Sequence, residues 1–392
     1  MTTIGEIGQV FDGPHATPKK LHSGPYFLSI SSLEKGRLDL TKSAFLSEED
    51  FEKWTKRVTP KEGDLLFSYE TRLGEAALMP AGVRACLGRR MGLLRLNKDK
   101  AIPEYVLYAY LSPAFQQIIK ANTLTGATVD RLSLSELPSF PIRIPPIEEQ
   151  EKVANLLGNI DKKIAINNKI NAELEAMAKT LYDYWFVQFD FPDANGKPYK
   201  TAGGKMEYNA TLKREIPVGW EACTLGDLAD LYQPQTISEK EMVKEGKYLV
   251  YGANGIIGRF NDYNHKESVV TITCRGNTCG NINITRPYSW ITGNAMVVKP
   301  KNKYLTQYYL YNLLTTSGVE KTITGSAQPQ ITRANLAPLK TLNPKPDITK
   351  KFSEAIENVA KKNISILNEN EELIKLRDWL LPLLMNGQVT VK

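Results

Sequence analysis

The residues of this chain whose types and spacing could do chemistry lie in short polar loops. In the first half they are Ser68-Tyr69-Glu70-Thr71-Arg72, with Tyr69, Thr71 and Arg72 as candidate contacts, then the pair Arg89-Arg90, and the stretch 125–131 with Thr125, Thr128 and Arg131. In the second half they are Tyr251, Asn254 and Arg259, then Arg275, Asn277 and Thr278, then Asn294, and finally Ser326, Gln328, Gln330 and Arg333. Arginine, asparagine and glutamine side chains match the donor and acceptor pattern of base edges in the DNA major groove. Each residue taken alone also fits an ordinary turn or surface position, because loops are polar wherever they meet water.

Bond-making chemistry lacks its signatures. No G-x-x-x-x-G-K-[ST] loop offers a platform for nucleotide phosphates. The only approach to a base-methylating Asn-Pro-Pro-aromatic motif is NPKP at 343–346, which lacks the aromatic residue that would stack a flipped base. Pro192-Asp193 and Glu245-Gly246-Lys247 are a weak shadow of a nuclease motif, separated by about 50 residues. Cys274 and Cys279 have no second pair of Cys or His near them, whereas structural zinc takes four ligands. His15, His22 and His265 are too sparse for a triad. The chain by itself reads as no enzyme, with no metal and no cofactor of its own.

Composition agrees with a polyanion partner without requiring one. The formal charge is +7 over 392 residues, with 24% charged and 42% hydrophobic residues. The basic excess falls on two segments: 16 Lys and Arg against 10 acidic residues in 208–346, and 19 against 16 in 1–146. No apolar run approaches the roughly 18 residues that span a bilayer, so no membrane association is expected. No secretory signal opens the chain, and four scattered cysteines suit a reducing cytoplasm.

Two long helices must position the loops. From Ile147 to Phe189 the chain has no proline and one glycine, Gly158, and apolar residues recur at helical spacing. A seven-residue ladder runs through Val153, Ile160, Asn167, Leu174 and Leu181, with Leu156, Ile170, Met177 and Tyr184 three positions on. That is the pattern of a coiled-coil seam. From Ile348 to Met385 a similar ladder runs through Phe352, Val359, Ile366, Leu373 and Leu380. The globular segments repeat as well. Thr123-Leu-Thr-Gly126 answers Thr322-Ile-Thr-Gly325, each followed at the same offset by Leu132 or Ile331. Tyr26-Phe27 is matched to Tyr248-Leu249. The expected fold is α+β. Two similar α/β domains, 1–146 and 208–346, are joined by a first conserved region at 147–207 and a second at 347–392. Their long helices pair as an antiparallel coiled coil, giving a pseudo-twofold tandem repeat. The aromatic run Tyr182, Tyr184, Trp185, Phe186 and Phe189 suits either helix-end core packing or an anchor for a partner protein.

The chain resembles the specificity subunits of type I restriction–modification enzymes over essentially its whole length. The carriers are LPSFPIRIPPIEEQEKVANLLGNIDKKIAINNKI at 137–170, LYDYWFVQFDFPDANGKPYK at 181–200, REIPVGWE at 214–221 and LLPLLMNGQV at 380–389. At the second proline motif NPKPDITKKFSEA stands where the family has an IPPIEEQ-type sequence. The resemblance implies two target recognition domains, each reading one half of a bipartite site in double-stranded DNA. It implies helices that set the spacer and dock modification subunits. It further implies modification and restriction subunits that use S-adenosylmethionine, ATP and Mg for adenine methylation and cleavage. The competing expectation is a coiled-coil scaffold that binds only protein partners.

Overall fold

The computed structural model describes residues 2–125, 129–326 and 328–391. The chain folds into two compact units: residues 1–166 with 369–392, and residues 167–368. The unit boundary at 166/167 falls inside a helix, as does that at 368/369.

Each unit holds the same pair of sheets. In the first, an antiparallel sheet runs in the order Gly8–Asp12, Met91–Leu96, Leu65–Ser68, Ala76–Leu78. In the second the order is Ala229–Tyr232, Ala295–Pro300, Val270–Thr273, Ile282–Ile284. Both faces of these central strands are covered: every residue of Leu65–Ser68 and of Val270–Thr273 is buried, Ser68, Thr271 and Thr273 included. A second sheet in each unit contains one parallel pairing. Tyr26 lies opposite Ala85 in the first unit and Val250 opposite Trp290 in the second. Tyr26 therefore corresponds to Val250 and not to Tyr248, the residue matched to it by sequence. A slip of two residues preserves the buried face of a strand, so the hydrophobic pattern does not distinguish the two registers. Both units open on a capped single turn, with Thr3 and Glu6 or Thr224 and Asp227 as a capping box.

The first long helix is Ile147–Tyr182, which passes into one π-helical turn, Asp183–Val187, so the regular helix ends seven residues before Phe189. Glu148 and Glu149 in its first turn complement the positive end of the helix dipole. Gln150, fully buried, ties that turn down by donating to Lys100 O and Pro145 O and accepting from Ile102 N. The second long helix is Pro346–Met385. Within the first unit Asp161 pairs with Arg377 at 2.9 Å, and Lys163 with Glu369 at 3.2 Å. Within the second, the rings of Tyr182 and Phe352 are 6.2 Å apart. Early residues of one helix meet late residues of the other in both units, so the pairing is antiparallel.

The seam itself differs from the sequence ladder in its second row. Val153, Ile160 and Asn167 are buried as expected, but the companion positions are Leu157, Ile164, Asn171, Ala178 and Trp185. Met177 is 55% exposed. The row lies four residues on rather than three, and it contains an asparagine and an alanine that an apolar count passes over. On the second helix Asn363 and Asn370 are buried, whereas Asn368 is exposed.

The core of the second unit is built around the end of the first long helix. Phe186 lies edge-on to Phe352 at 5.1 Å and to Tyr309 at 4.9 Å, and Phe191 stacks on Trp220 at 5.0 Å. Tyr182, Trp185, Phe186 and Phe189 are all buried there, and Tyr184 is half-buried. Core packing is thus what these four rings do, and the anchor reading is left with Tyr184.

His265 gives this unit a pH signature. Its Nε2 lies 2.8 Å from the Tyr232 hydroxyl and its Nδ1 2.6 Å from Asn264 Oδ1. Burial, with Lys299 adding to it, holds its pKa below the usual histidine value. The fold therefore prefers the neutral ring and binds fewer protons here than the unfolded chain does. The stability cost is absent above about pH 6.5 and grows as the pH falls below it. Melting temperatures from pH 8 to 5 should decline less steeply in His265→Gln than in the parent. Equal slopes would remove His265 from the acid response.

Candidate nucleic-acid interface

In the first unit three loops converge beyond the end of strand Leu65–Ser68. Tyr69 N–H donates to Arg90 O at 3.2 Å, and Tyr69 O accepts from Leu132 N–H at 2.8 Å. Thr71 N–H donates to Asp130 O at 3.2 Å. The backbone of Glu70 forms an isolated antiparallel bridge with that of Arg131, and the Glu70 side chain forms an ion pair with Arg90 at 2.7 Å. The sequence-selected segments 68–72, 89–90 and 129–131 thus form one patch. Thr71 and Arg90 have φ of 66° and 70°, a left-handed conformation unusual for residues other than glycine and stored most often at functional sites.

The second unit builds the same cage. Cys274 N–H donates to Asn294 O at 3.2 Å, and Cys274 O accepts from Ile331 N–H at 2.9 Å. Arg275 bridges to Gln330, and Gly276 N–H donates to Pro329 O at 3.2 Å. Asn277 and Thr278 lie on the loop between Gly276 and Gly280, whose φ values of 86° and 93° need residues without a Cβ. Asn254 joins this patch through Asn281, whose amide donates to it at 3.1 Å. Arg333 is exposed at the start of a short turn capped by Thr332.

Several selected residues are spent elsewhere. Tyr69 and Tyr251 are 6% and 5% exposed and belong to the core, since the Tyr pattern on a strand fits a packed interior as well as a surface. Arg259 donates to Gly246 O at 2.6 Å and Lys247 O at 3.2 Å, clamping its own hairpin. Arg72 donates to Ile30 O and Ser31 O and reaches Glu75 at 3.6 Å. Thr125, Arg89, Arg131, Ser326 and Gln328 are exposed, and Thr128 lies outside the described residues. The sequence reading missed a cleft of about 440 Å³ whose lining includes Lys20, Ser29, Ser31, Lys42 and Arg89. Its signal was present as Lys19-Lys20 followed by Ser29-Ile-Ser-Ser32, a cationic and hydroxyl-rich setting of the kind that meets phosphate.

The thiols take no part in this chemistry. Burial raises the Cys86 thiol to about 12 and the Cys223 thiol to about 11. Cys274 and Cys279 point their sulfurs at Ile272 O and Cys274 O. Among the described residues no cluster of three or more His, Cys, Asp or Glu is arranged to hold a metal ion. Among them, too, no helix is long and apolar enough to cross a membrane.

Comparison with known families matches residues 1–176 and 217–376 to the type I restriction modification DNA specificity domain, once for each unit of the repeat. The chain belongs to this family. It is 25% identical to the type I restriction enzyme MjaIX specificity subunit of Methanocaldococcus jannaschii, over 97% of this chain and 88% of that one. It is 21% identical to the HindI specificity subunit of Haemophilus influenzae, over 84% and 87% of the two chains. The fold is that of the type I restriction–modification S subunit from M. genitalium, with TM-score 0.57 and 18% identity over 98% and 95% of the chains. As a type I specificity subunit the chain supplies DNA sequence specificity and is the non-catalytic component of its system, with no catalytic cofactor of its own. Nothing in these relationships favours a scaffold that binds protein alone.

Proposed function

We propose that the chain reads a bipartite, asymmetric site in double-stranded DNA, one half-site per domain, from the two convergent loop patches. The observation that supports this reading most directly is the duplicated cage. Identical backbone bonds hold loops whose outward side chains differ, Glu70, Arg90 and Arg131 in one unit and Arg275, Asn294 and Gln330 in the other. One scaffold presenting two sets of hydrogen-bonding groups suits two unlike half-sites. The chain acts in the cytoplasm, directing modification subunits that methylate adenine with S-adenosylmethionine and restriction subunits that use ATP and Mg. The test is binding to mixed-sequence and site-containing duplexes across salt. Retention should fall steeply between about 50 and 200 mM salt for both, with the site-containing duplex held more tightly at every concentration. Equal retention of the two would end the sequence-reading assignment.

Docking of the modification subunits fits the outer faces of the long helices. Trp379 and Leu376 on the second helix are 62% and 43% exposed, and an unburied tryptophan is a strong interface anchor. Trp379→Ala should leave the melting temperature of the isolated chain within about 1 °C, since exposed substitutions cost little. It should weaken co-purification with the modification subunit about ten-fold or more. Undiminished co-purification would place the docking face elsewhere.

A further inference from the structure

We propose that residues 70, 90 and 131 of the first unit and residues 275, 294 and 330 of the second are one base-reading triplet built twice. Glu70, Arg90 and Arg131 select a G·C pair, whereas Arg275, Asn294 and Gln330 select a step containing an A·T pair. The inference rests on the reading that each domain takes one half-site, and goes beyond it by naming the residues and the base class.

Backbone geometry establishes the equivalence. Tyr69 donates to Arg90 O and Cys274 to Asn294 O, both at 3.2 Å; Leu132 donates to Tyr69 O and Ile331 to Cys274 O, at 2.8 and 2.9 Å. Tyr69, Leu132, Cys274 and Ile331 are the inward partners of these bonds and are all buried, while Asn294 is exposed and Arg90 half-buried. Side chains alternate along extended chain, so the next residue, 70 or 275, and the preceding one, 131 or 330, turn outward together. Glu70 bridges directly to Arg131, and Arg275 to Gln330. Residues opposed in this way have Cβ atoms about 5 Å apart, close enough to act on one base pair.

Side-chain chemistry then separates the units. Arginine donates to the O6 and N7 of guanine, and glutamate accepts from the N4 amino group of cytosine, so Glu70 with Arg90 and Arg131 can address both members of a G·C pair. Asparagine and glutamine each donate and accept as the adenine N6/N7 edge requires, and the second triplet carries no carboxylate. The Glu70–Arg90 ion pair is not needed to close the cage, because the second unit closes the same backbone bonds with Arg275 and Asn294 at those positions. It holds an acceptor beside donors in advance of binding.

The experiment transplants the triplet. Glu70→Arg, Arg90→Asn and Arg131→Gln are combined in the full chain, co-expressed with its modification subunits, and the motif is read by modification-sensitive sequencing and by selection from random duplexes. Asparagine tolerates the left-handed conformation at position 90, so the change there adds no strain. Preference at one position of one half-site should move from G·C toward A·T by about ten-fold or more, and the other half-site should stay as it was. If the triple variant fails to fold, the single variants Glu70→Gln and Gln330→Arg take its place. The first should relax discrimination for cytosine, and the second should raise preference for guanine. A parental motif in folded variants would overturn the triplet while leaving half-site reading intact. So would weakened binding that is uniform across sequences with a shallower salt slope, which marks phosphate contacts. A parent chain with no sequence preference at all would overturn the half-site reading itself.

Discussion

Phe352→Ala should lower the melting temperature of the second unit by on the order of 10 °C. Phe352 is fully buried and meets Phe186, Trp185, Tyr182 and Tyr309 with ring centroids 5.1, 5.8, 6.2 and 6.3 Å away. Truncating a buried phenylalanine loses the transfer energy of the ring and leaves a cavity, together about 3–5 kcal/mol. Rigid aromatic neighbours on several sides leave little room for the site to collapse. In a unit of this size each kcal/mol shifts the midpoint by about 2–4 °C. Met177→Ala, at an exposed position of the same pairing, should change stability by less than about 0.5 kcal/mol. Denaturant and thermal melts of both variants decide the matter. A Phe352→Ala chain within 1 °C of the parent would show that the aromatic cluster does not hold the unit together.

Exchanging the whole second unit, residues 167–368, for its counterpart from another specificity subunit should change one half of the methylated motif and leave the other half untouched. Each of the two units has its own hydrophobic core. Exchange of 208–346 alone, the domain drawn from sequence, should give a poorly folded chimera. It would strand Tyr182, Phe186 and Phe352 against a foreign surface in place of Tyr309 and Trp220, which they now contact. Motif mapping and melting curves of both chimeras test this. Altered bases in both halves, or a stable 208–346 chimera, would contradict the division.

The architecture is legible in short-range features of the chain. Proline pairs ahead of each long helix, heptad spacing within it and the repeated Thr-x-Thr-Gly hairpins are local signals, set by backbone sterics and side-chain period. They predicted two paired helices and two similar domains, and the family motifs supplied the specificity role. Tertiary structure decided which residues are available. Arg72 and Arg259 look like base-reading arginines until backbone carbonyls, Ser31 O for the one and Gly246 O for the other, take up their donors. Tyr251 looks like a loop residue until Arg286 N–H donates to its hydroxyl inside the core. The second row of the coil seam holds Asn171 and Ala178, residues whose own polarity or size says nothing about burial and which only packing in the folded chain covers. Glu70 lies in one of the candidate loops, yet nothing in its own type or spacing marks it for base reading. Its meaning comes from Arg90 and Arg131 beside it, and that proximity is created by hydrogen bonds between segments about 20 to 60 residues apart.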